Sequence, residues 1–173
     1  MAEQDGKQPD RFVFRVNPSL YAAIVELAEA ANRSVNGEIC TAVEKWLYER
    51  DSLVVIKDRL LASASIETID RIREATPLGL FNADAESERC KTNVRLKEFV
   101  ESDLRSAWEQ HKAVVGPLSL NSFLKNVVHW WVTYSYQIAE CAKAIHRDFK
   151  NSFRPNKTSA FAPSVFLGRM AAV

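Results

Sequence analysis

Glycine and proline are scarce in this chain, at 5 and 6 of 173 residues, and neither sign of charge dominates, with 23 Lys+Arg against 22 Asp+Glu. A disordered, collagen-like or highly charged polymer is thereby excluded. The three cysteines, 50 and 51 residues apart, make no disulfide framework and fit a reducing compartment. No apolar run approaches the roughly 18 residues that a membrane helix needs. The densest stretch, Val127 to Val132, is interrupted by His129. The opening residues, MAEQDGKQPD, are polar and carry both signs of charge, unlike a secretory signal. These absences point to a non-membrane, cytoplasmic protein of one ordinary domain or two very small ones. Enzymatic motifs are missing as well: there is no Gly-rich phosphate loop, nucleophile elbow or carboxylate pair. His111, His129 and His146 with Cys40, Cys90 and Cys141 offer no compact metal spacing, and Cys141 and His146 do not share a helix face. The expectation is no catalytic residue, no metal and no cofactor.

What is present is unevenly spread. Residues 1–50 hold 6 Lys+Arg and 8 Asp+Glu, residues 51–90 hold 5 and 8, and residues 91–173 hold 12 and 6. The basic last part points to an anionic partner, with a solvated helix face as the alternative.

Arg11 to Val16 alternates, with Phe12, Phe14 and Val16 on one side and Arg11, Val13 and Arg15 on the other. That is the pattern of a half-buried strand. Asn17-Pro18-Ser19 breaks it, and Pro18 suits a first helical turn. Leu20, Ile24, Leu27 and Ala31 then predict a helix over 18–31. After a turn at Asn32-Arg33, Ser34 is a natural N-cap for a second helix striped by Val35, Ile39, Val43, Trp46 and Leu47. A unit of about 40 residues buries too little alone and must pair with a similar one. Further on, Leu53 to Ala62 reads as a helix, and Ser65 caps another carrying Ile66, Ile69 and Ile72 that Thr76-Pro77 ends. Residues 77–90, with an acidic cluster at Asp84, Glu86 and Glu88, read as a loop.

The segment RFVFRVNPSLYAAIVELAEAANRSVNGEICTAVEKWL, Arg11 to Leu47, resembles the Arc-like branch of the Arc/MetJ ribbon-helix-helix superfamily, most specifically at Arg33-Ser34-Val35-Asn36-Gly37-Glu38-Ile39. The resemblance implies a two-stranded antiparallel ribbon entering the DNA major groove. It assigns base contacts to Arg11, Val13 and Arg15. It assigns phosphate contacts to Ser34, Val35 and Asn36, where a helix N-terminus offers free N–H groups. Arg33 and Glu38 match a buried ion-pair position of that branch, whose third member falls here on Ala42. The family usually has a polar residue where Val13 stands.

Lys91 to Leu96 alternates again, and Lys91, Asn93 and Arg95 are laid out like Arg11, Val13 and Arg15. Phe99 or Val100, Leu104 and Trp108 continue at helical spacing to Gly116-Pro117. Ser119-Leu120-Asn121-Ser122 echoes the Ser34 turn and opens a helix of about 30 residues, striped by Phe123, Val127, Trp130, Tyr134, Ile138, Cys141, Ile145 and Phe149. A length near 45 Å exceeds what a small domain needs, so part of that helix should pack on another chain or segment. These features suggest a degenerate second unit with a first helix about five residues longer, as in the tandem TraY-like proteins, or else an unrelated helical domain.

The expected fold is mainly α with short β-strands. It divides into an arm at 1–10, a ribbon-helix-helix domain at 11–50, a helical connector and acidic loop at 51–90, a helical domain at 91–150 and a basic tail at 151–173. The expected partner is double-stranded DNA, bound by a repressor acting as a homodimer, a higher oligomer or an intrachain pseudo-dimer. The alternative is an antitoxin-like or relaxosome-accessory protein that uses the fold to dimerise and holds a protein partner at its C-terminal region.

Overall fold

A computed structural model describes residues 12–76 and 89–152, with side chains up to 147. Arg11, the arm at 1–10, residues 77–88 of the acidic loop and the tail from 153 lie outside the described residues. The chain runs β1 (Phe12–Val16), α1 (Pro18–Ala30), α2 (Val35–Tyr48), α3 (Arg50–Ala62), α4 (Ile66–Ala75), β2 (Cys90–Val94), α5 (Glu98–Val115) and α6 (Leu120–Ser152). It is mainly helical, and β1 and β2 form one two-stranded antiparallel sheet.

Local chemistry accounts for most of the boundaries. Asn17 caps α1 by accepting from the Leu20 N–H at 2.9 Å, and Pro18 occupies its first turn. At the other end Asn32 takes a left-handed φ of 51°, which asparagine tolerates better than most residues. The Asn32 N–H then reaches the Glu29 carbonyl and the Arg33 N–H the Ala28 carbonyl, the paired bonds of a Schellman ending. Ser34 caps α2, Ser65 caps α4 and Ser119 caps α6, each accepting from the amide three residues on. Gly116 ends α5 at a φ of 98°, open to glycine and costly for other residues.

The buried cluster is shared between the two ends of the chain. Phe14, Val16, Ile24, Ile39 and Val43 pack with Val94, Leu96, Val100, Leu104, Leu124 and Val128. A side chain of this kind is worth about 1.5–3 kcal/mol when fully buried. The helices cross over between the halves: α2 packs on β2 and α5, and α6 on β1 and α1, while α2 and α6 lie against each other. Two tyrosines tie the same crossings, Tyr48 donating to Asp103 and Tyr136 to Glu26. Burial and then these carboxylates push both phenols up to about 12.

Between Val100 and Phe99 it is Val100 that is buried, and Phe99 is exposed. On α4 the inward face is Thr68 and Ile72, continued by the C-cap Thr76, while Ile66 is 78% exposed, so the expected Ile66–Ile69–Ile72 stripe does not hold at its first member. On α6 the predicted stripe holds at Phe123, Val127, Tyr134 and Cys141, but Leu124, Val128 and Val132 are buried beside it and Ile145 is exposed. The reason is that the first half of α6 is covered on more than one side, by β1, α1 and α2. Its 33 residues span roughly 50 Å, and the partner for its far half comes from the same chain, since α3 and α4 pack along it. No helix among the described residues is long and apolar enough to cross a membrane.

Two buried polar groups shape stability. Glu38 is 3% exposed. It accepts from Arg33 Nη1 at 2.9 Å and from the Trp131 indole N–H at 2.7 Å. The expected ion pair is present, and an indole from α6 supplies the third member. A buried carboxylate that loses one donor is costly. Trp131→Phe is therefore expected to lower stability by about 1.5–3 kcal/mol, read from the urea midpoint, and an unchanged midpoint would contradict this role. His129, 8% exposed, has its pKa pushed down to about 4 by burial. The unfolded chain takes up this proton first, so stability should fall as pH drops from about 6.5 towards 4. Urea titrations of His129→Phe should show a shallower decline between pH 6.5 and 5 than the parent protein.

Candidate nucleic-acid interface

In the ribbon Phe12 faces Val94, Val13 faces Asn93, Phe14 faces Thr92, Arg15 faces Lys91 and Val16 faces Cys90. The alternation predicted for both strands puts Phe14, Val16 and Val94 into the core. It leaves Val13, Arg15, Lys91 and Asn93 exposed on the opposite face, with Arg95 exposed just beyond β2. The pairing thus brings the two candidate sets, so far as they are described, onto one surface. Residues 12–16 and 89–97 contain no Asp or Glu and carry Arg15, Arg89, Lys91, Arg95 and Lys97. Lys97 is engaged by Glu44 at 3.3 Å.

Both ends of the ribbon are held by an asparagine side chain. Asn121, at the start of α6, accepts from the Arg15 N–H at 2.8 Å and donates to the Arg15 carbonyl at 3.0 Å. Asn36, at the start of α2, accepts from the Arg95 N–H at 3.0 Å. Arg15 and Arg95 therefore occupy corresponding positions, each two residues after a member of the Val13–Asn93 pair. An approximate local twofold axis passes through that pair. The Asn36 side chain, expected at phosphate, is instead committed to the strand, with its amide also 3.7 Å from Cys40 Sγ. Ser34 Oγ is likewise occupied, accepting from the Gly37 N–H at 3.0 Å. What this turn still offers a ligand is the backbone N–H of Val35 and of Asn36, which lie in a first helical turn without intrahelical acceptors.

Cys40 completes the clamp by donating its thiol to the Arg95 carbonyl at 3.2 Å. Burial, and then Glu44, push this thiol up, with Lys97 opposing, so it stays protonated as that bond requires. The structural use of the two asparagines was not anticipated, although the signal was present: both helix starts read Ser-x-Asn, at Ser34 and at Ser119. Trp131 as donor to Glu38 had no local signal, because 93 residues separate the two.

No family model, curated protein or solved structure matches this chain. The candidate interface accordingly rests on the geometry above and on the residues of the strand and turn.

Asn121 makes two backbone bonds to Arg15 where Asn36 makes one to Arg95. At about 0.5–1.5 kcal/mol per bond, Asn121→Ala should destabilise more than Asn36→Ala. Urea unfolding of the two variants checks the order.

Proposed function

We propose that this chain binds duplex DNA in a sequence-specific manner, as a repressor built from two ribbon-helix-helix units in one polypeptide. The observation that carries this reading is the exposed ribbon face, where Arg15, Lys91, Asn93 and Arg95 stand together on a backbone fixed from beneath. The major groove admits a two-stranded ribbon, and outward side chains are those that meet base edges. An arginine can bond guanine O6 and N7 together, and a well-placed pair of this kind discriminates by about 1–3 kcal/mol. Phosphates on either side of the groove suit the first-turn amides of α2 and α6, where the helix dipoles favour an anion. Those contacts set orientation, and the strand residues read sequence.

The acid-free ribbon makes a near-neutral total charge compatible with an anionic partner. Cationic groups are concentrated where the anionic backbone would approach, on strand segments that carry no acid. Binding of this kind weakens as salt rises, because bound counterions are released from the DNA.

The test is direct. A duplex enriched from a random library by the full-length protein is titrated by gel shift with Arg15→Ala, Arg95→Ala and the double variant. Each single change should weaken specific binding by about 1–3 kcal/mol. Undiminished affinity of a folded double variant would refute the assignment.

A further inference from the structure

We propose that a single copy of this chain reads an asymmetric DNA site, and that the unlike pair Val13 and Asn93 at the centre of the ribbon creates the asymmetry. This rests on the DNA-binding reading above and goes further by naming the kind of site. A ribbon made by two copies of one strand carries the same residue on both sides of its axis, because a twofold interface is self-complementary. Here both strands belong to one chain and the local axis passes between different side chains. At the next outward position after the centre the strands match, with Arg15 and Arg95 each held by an asparagine, Asn121 and Asn36. Between these two positions the difference lies at the centre.

The two central side chains ask for different bases. Val13 is 41% exposed and can give only an apolar contact, of the kind a thymine methyl group accepts. Asn93 is also exposed and carries a donor and an acceptor that match adenine N6 and N7. One half of the site is thus read through shape and methyl contact and the other through paired hydrogen bonds. Since the ribbon is complete within one chain, one copy occupies one such site.

The experiment is selection from a random duplex library with the full-length protein, its Val13→Asn variant and its Asn93→Val variant, each checked for folding by circular dichroism. Native mass measurement of the complexes gives stoichiometry. The parent protein should enrich a site that is not palindromic about its centre, with one chain per duplex. Val13→Asn should enrich a more symmetric site. Asn93→Val should lose preference for its central base by roughly 5- to 150-fold. A palindromic parental site, two chains per single ribbon site, or a folded Val13→Asn variant with an unchanged site would overturn the proposal while leaving DNA binding intact. Failure to enrich any sequence would overturn both readings together.

Discussion

Among the described residues neither strand has a neighbour in its own half of the chain, and the antiparallel pairing of Phe12–Val16 with Cys90–Val94 is the constraint that organises the rest. A two-stranded sheet is marginal alone in water. It persists here because its inner face, with Phe14, Val16 and Val94, is covered by helices from both halves. Each strand leans on the second helix of the other half, so the halves share one core. Pairing the strands also aligns their outer faces, and a stability requirement thereby assembles the cationic surface.

Around that shared arrangement the two halves differ at matched positions. Glu38 follows Gly37 in the first turn of α2, and Phe123 follows Ser122 in α6. The Trp131 indole donates to Glu38, while Trp46 meets the Phe123 ring edge-on at 5.3 Å. The same residue type satisfies a buried carboxylate on one side and an apolar ring on the other.

The parts legible in sequence were those governed by short-range periodicity and capping. The alternation of Phe12 to Val16 and of Thr92 to Leu96, the Ser34, Ser65 and Ser119 caps and the break at Gly116 all appear where residue spacing put them. Ile66 misled because it satisfies the helical period of α4 while standing at an end that no described residue buries. The α6 stripe was incomplete for the opposite reason: a helix buried on several sides has no single apolar face. Of the candidate interface, Val13, Arg15, Lys91, Asn93 and Arg95 were recognised as outward from the period of two. The Ser-x-Asn at each helix start marks Asn36 and Asn121, but their roles depend on backbone partners 59 and 106 residues away, which no local pattern names.

The scarcity of glycine and proline and the balanced charge determined by themselves that this is an ordinary folded chain with few interruptions. The sequence also determined where strands and helices lie, since those follow from side-chain spacing and caps within a few residues. Only the tertiary structure decided that the two strands pair with each other, that Val13 stands opposite Asn93, and that Arg15, Lys91 and Arg95 of two distant acid-free segments come together. These depend on which apolar surfaces cover one another across some 80 residues of chain, and periodicity carries no information over that distance.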